Sequence, residues 1–98
     1  MTEANYSTAL NNATNLEYLK WDNIGNKENQ TAFNFTANTK LGTGSEENLQ
    51  AFKNLFTNAF DRKTAGYAVC TVRLAATQKA LLTAEEITAF ENKGYKIA

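Results

Sequence analysis

No histidine occurs in this chain, which removes the commonest general base, the Ser-His-Asp arrangements and the histidine zinc sites together. Carboxylates, one cysteine, a glycine-rich stretch and a few aromatic and basic side chains are what remain for chemistry. Glu46–Glu47 and Glu85–Glu86 are adjacent pairs, yet each sits where a helix should begin, and capping and the helix dipole account for them. Asp22 and Glu28 share a turn-rich stretch, but their spacing around Gly25 does not match a calcium loop, and two carboxylates are a thin ligand set. Cys70 is flanked by Val69 and has neither a base nor an electropositive neighbour in its pattern, so it reads as a core residue. Gly42-Thr43-Gly44-Ser45 precedes a helix and could hold an anion on backbone N–H groups. It follows no clear βαβ fingerprint, lacks the lysine of a P-loop, and is followed by two glutamates that repel phosphate. No catalytic set, metal or cofactor is expected, and the chain reads as a non-enzyme.

One constellation survives. Tyr18, Lys20 and Trp21 form the only aromatic-plus-basic cluster, and Trp and Tyr are common interface anchors. Together with Tyr67 and Arg73, which fall on the more polar face of a later strand, they are the expected partner-binding residues. The plainer account is that Trp21 closes one end of the core and Arg73 is solvated.

These groups must be positioned by a core, and Thr43–Phe60 is its organising stretch. Leu49, Phe52, Leu55, Phe56, Ala59 and Phe60 recur at three- and four-residue steps, which puts them on one face of a helix spanning 45–61. Glu46 and Glu47 suit its N-terminus and Arg62 and Lys63 its C-terminus, with Gly66 as the stop. Gly66–Leu74 is the best strand pattern, with Cys70, Val72 and Leu74 on one face and Tyr67, Val69, Thr71 and Arg73 on the other. Thr83 and Glu86 form a capping box for a short helix over 84–92, Gly94 supplies its left-handed end, and Tyr95–Ile97 adds a few strand residues. LEYLKW (16–21) is ambiguous between strand and helix, but TAFNFTANT (31–39) alternates, and such a strand calls for an antiparallel neighbour across the turn-rich 22–29. The expected fold is therefore α+β: a small, mainly antiparallel sheet (a hairpin over about 16–39 plus strand 66–75) covered on one face by helix 45–61, with helix 84–92 at one end. Residues 1–98 form one domain, with 1–15 a loosely held arm.

Composition narrows the functional classes. Ten basic residues balance ten acidic ones, so the clustered charge of a nucleic-acid binder or a polybasic membrane anchor is missing. Thirteen Asn and thirteen Thr supply an uncharged polar surface instead. A single cysteine rules out an internal disulfide, and the N-terminal residues lack the basic and apolar regions of a signal peptide, so a cytoplasmic protein is expected. The leading expectation is a small non-enzymatic domain that binds another protein or itself, as an inhibitor, adaptor or assembly subunit, such as an accessory protein of a bacterium or its phage. The alternative is single-stranded nucleic-acid binding, with Tyr18, Trp21 or Tyr67 stacking on bases and Lys20 and Arg73 on phosphates.

Overall fold

The computed structural model describes residues 13–98, in which strands and helices alternate along the chain. The order is β1 (Ala32–Asn34), α1 (Glu46–Thr57), α2 (Arg62–Ala65), β2 (Cys70–Arg73), α3 (Ala76–Lys79), α4 (Ala84–Glu91) and β3 (Tyr95–Ile97). The strands lie in the order β1-β2-β3 and both pairings are parallel. The expected antiparallel sheet is thus replaced by a parallel one. Residues 16–21 form no strand, so the hairpin over 16–39 is absent, and β1 pairs with β2, Phe33 opposite Val72. The strand expected over 66–75 contracts to Cys70–Arg73. Of the arm expected over 1–15, residues 1–12 lie outside the described residues.

Parallel neighbours require a crossover of a dozen residues or more, and the segments 35–69 and 74–94 each provide one with a helix in it. Right-handed crossovers that step the same way across a sheet place their helices on the same side. α1 and α4 do pack against each other, with the Phe56 and Phe90 rings edge-on at 4.9 Å and Lys53 Nζ 3.1 Å from Glu86 Oε1. Phe33, Phe35, Cys70, Val72, Leu74 and Tyr95 line the covered side of the sheet, and Phe52, Leu55, Phe56 and Phe90 meet them from the helices.

The Ser45 side chain caps α1 by accepting from Asn48 N at 3.1 Å, and Glu46 and Glu47 occupy the first turn. The helix stops at Thr57, earlier than the apolar spacing suggests, because Phe60 turns away and donates its N–H to Ile24 O at 2.9 Å. No basic residue lies in the last turn of α1; Lys93 reaches back from beyond α4 to donate to Thr57 O and Ala59 O instead. Asp61 then starts α2, accepting from Thr64 N at 3.1 Å and from the Thr64 hydroxyl at 2.7 Å. Gly66 ends α2 rather than α1, with φ of 77°.

α4 carries a reciprocal cap: Thr83 Oγ1 accepts from Glu86 N at 3.1 Å, and Glu86 Oε1 accepts from Thr83 N at 2.8 Å. The Glu86 carboxyl is held below its ordinary value of 4.5, first by the Thr83 N–H and next by the Lys53 ammonium. Asp61 is likewise held below 3.8, chiefly by the Thr64 hydroxyl. A carboxyl lowered by folding contributes stability that is complete above its unfolded value and lost as the pH falls through its folded one. Urea midpoints should therefore drop on acidification below 4.5, and Glu86→Gln should flatten part of that drop. A Glu86→Gln variant with the acid dependence of the parent would show that this cap contributes nothing to it.

Candidate functional site

Residues 17–23 form a strap laid along α1. Its two ends are tied: Gly42 N donates to Glu17 O at 2.9 Å near the start of α1, and Asn23 N donates to Asn58 O at 3.0 Å at its end. α1 with its C-cap is about 18 Å long at about 1.5 Å per residue, and six residues reach about 20–22 Å only when extended. The strap is consequently stretched nearly straight, and its side chains alternate: Leu19 and Trp21 enter the core while Tyr18, Lys20 and Asp22 stay exposed. The Trp21 indole meets the Phe33 ring edge-on at 5.6 Å. Among the described residues the backbone groups of Tyr18 and Lys20 make no hydrogen bond.

A groove of about 580 Å³ opens between the strap and α1. Tyr18, Lys20, Trp21 and Asp22 form one wall, and Gln50, Asn54 and Asn58, one above the other at four-residue steps, form the opposite wall. Gln50 Nε2 donates to Asn54 Oδ1 at 2.9 Å and Asn58 Nδ2 to Asp22 Oδ1 at 3.2 Å, so the amide row is ordered along the helix and joined to the strap at its far end. Ala51 and Leu55 give the groove an apolar floor, and Glu47 closes its near end. The amide row did not stand out in the sequence; thirteen Asn concealed it, although the steps from 50 to 54 to 58 on one helix face were readable.

The strap is anchored beyond Asn23 by Arg62, which the sequence suggests as a charge suited to the C-terminus of α1 and which is 0% exposed. Its Nη1 donates to Gly25 O at 2.7 Å and Lys27 O at 2.8 Å, its Nη2 to Glu28 O at 3.2 Å and Ala68 O at 2.9 Å, and its Nε to Ala68 O at 3.0 Å. One guanidinium therefore fastens the turn 25–28 to the loop that leads into β2. Tyr95 fastens the same turn from below, its hydroxyl lying 2.9 Å from both Ile24 O and Phe60 O. Gly25 leaves room for that hydroxyl, since a Cβ there would come within 2.0 Å of it, and its φ of 80° suits glycine.

The second surface is the side of the sheet away from the helices. Ala32, Asn34, Arg73 and Lys96 are exposed there and Thr71 is half-buried, with Ala32, Thr71 and Lys96 in one row across the three strands. Val69, just before β2, is 59% exposed. Among the described residues no element covers this face.

The five expected contact residues are thus separated. Tyr18, Lys20 and Trp21 meet in the groove, Trp21 mostly as core; Arg73 stands on the open sheet face; Tyr67 lies with its ring 5.4 Å from that of Phe60 and the Arg62 guanidinium 5.4 Å above it. Among the described residues no three His, Cys, Asp or Glu side chains cluster to hold a metal ion, and no helix is long and apolar enough to cross a membrane. Comparisons with protein families, with curated proteins and with solved structures found no match.

Proposed function

We propose that this chain is a small non-enzymatic domain that binds another protein through the open face of its parallel sheet. The observation that carries this reading is that among the described residues no element covers that face. Parallel sheets occur almost only with both sides covered, because each crossover brings a helix that packs on the sheet. Here both long helices share one side, and among the described residues no element covers the other, where Ala32, Arg73, Lys96 and the adjoining Val69 are exposed.

The chemistry of the face indicates the partner. Arg73 and Lys96 are the charged side chains of its three strands, so a surface presenting Asp or Glu is complementary. Two copies of this chain meeting face to face would set Arg73 and Lys96 against their own kind, which favours a different protein over self-association. The nucleic-acid reading is less favoured, because Trp21 is 7% exposed and Tyr67 lies against Phe60, which leaves Tyr18 in the groove as the exposed ring of the three. An inhibitor, an adaptor and an assembly subunit all work in this manner, and a cytoplasmic setting suits a chain with one cysteine.

Light scattering on the purified chain at two concentrations tests the reading. A monomer at both is expected, and Arg73→Glu with Lys96→Glu should leave the melting curve unchanged while weakening partner binding by about tenfold or more. A concentration-dependent dimer that this double variant strengthens or leaves intact would contradict it.

A further inference from the structure

We propose that the groove between the strap and α1 binds an extended peptide segment of about four to five residues, recognised chiefly through its backbone. The groove is distinct from the sheet face and adds a second mode of contact.

The spacing of the amide row carries the proposal. Gln50 and Asn54 on α1 and Asn58 at its C-cap repeat every four residues, about 6 Å of axial rise. An extended chain presents its backbone groups to the same side every second residue, about 6.4–6.8 Å apart. Over the roughly 12 Å from Gln50 to Asn58 the two repeats stay close enough in step for successive carboxamides to meet successive peptide units. Each carboxamide offers two N–H donors and an oxygen with two lone pairs. The existing Gln50–Asn54 and Asn58–Asp22 bonds use one donor or one lone pair at each amide, and all three amides line the groove.

The opposite wall matches the other edge of such a segment. Tyr18 and Lys20 are two residues apart in an extended strap, so their peptide groups point the same way, as along one ladder edge, and among the described residues they are not used. A peptide strand lying between strap and helix would satisfy both of its edges. Its side chains would alternate between the floor of Ala51 and Leu55 and the mouth, where Tyr18 is 44% exposed. Glu47, Lys20 and Asp22 place mixed charge around the groove, so no strongly charged ligand is selected. The volume of about 580 Å³ lies within the range of about 300–1,000 Å³ usual for ligand sites.

The test is to pan a random heptapeptide library displayed on phage against the full chain, and to measure the enriched peptides by fluorescence anisotropy. The expected result is binding that falls about tenfold or more, the loss of one to two charge-free hydrogen bonds, both in Gln50→Ala with Asn54→Ala and when alternate peptide nitrogens are methylated. Alanine favours the helix, and unchanged melting of that variant confirms its fold. The Arg73→Glu, Lys96→Glu variant should bind these peptides like the parent, which separates the groove from the sheet face. No enriched peptide, peptides indifferent to the amide variant or to N-methylation, dependence on Arg73 and Lys96 instead, or binding of neutral oligosaccharides from a glycan array without any peptide would each overturn the proposal.

Discussion

Arg62→Ala is expected to destabilise the domain by about 3–5 kcal/mol, a large share of the roughly 5–15 kcal/mol that holds a domain together. The guanidinium is fully buried, and among the described residues backbone carbonyls rather than a carboxylate satisfy its charge: those of Gly25, Lys27, Glu28 and Ala68, with the Tyr67 ring above it. Charge-assisted bonds of this kind are the stronger ones, and removing the donor leaves several inward-facing carbonyls unsatisfied at once. Arg62→Lys should recover only part of the loss, because one ammonium cannot reach four carbonyls spread around a planar fork. Urea denaturation read by far-ultraviolet circular dichroism measures both variants. Parent-like stability in Arg62→Ala would mean that the turn 25–28 is held by something else.

Phe56→Ala should cost a similar amount, about 3–5 kcal/mol. Phe56 sits between two aromatic partners, Phe52 at 5.1 Å and Phe90 at 4.9 Å, both edge-on, and so joins α1 to α4. Its removal loses the buried ring, leaves a cavity and breaks two aromatic pairs worth about 0.5–1.5 kcal/mol each. Phe90→Ala opens onto the same space, so the double variant should be less destabilised than the sum of the two. Strict additivity would place the two rings in separate environments and contradict the packing of α1 on α4.

The contrast between these residues shows what the sequence could reveal. Phe56 was readable, because a three- and four-residue repeat of phenylalanines has to be covered by something. Arg62 was not, because a basic residue just past an amphipathic stretch looks like a helix-end charge, and only the fold brings the carbonyls of 25–28 and 68 around it. The sheet direction was misread for a related reason. Strands buried on both faces show continuous apolar runs, whereas Ala32–Asn34 and Cys70–Arg73 alternate. That alternation is the usual mark of an antiparallel sheet, yet here it belongs to a parallel sheet of which, among the described residues, one side is covered by helices and the other is not. The feature that misdirected the topology is the same one that supports the proposed function. The strap was half legible: an extended form was one of the two readings of 16–21, but α1, not another strand, lies alongside. Thr83 and Glu86 were fully legible, since a capping box is local and needs no tertiary context.

The open sheet face is tested most directly by photo-crosslinking. A benzophenone amino acid placed at Thr71, in the middle of the face, should yield a heterologous adduct in extracts of the cells that make this protein. The adduct should weaken at high salt and disappear in Arg73→Glu with Lys96→Glu, while the same probe at Thr88 on α4 should give none. An adduct of twice the chain mass at Thr71, equal adducts at Thr71 and Thr88, or an adduct indifferent to the charge reversal would contradict a protein-binding role for this face.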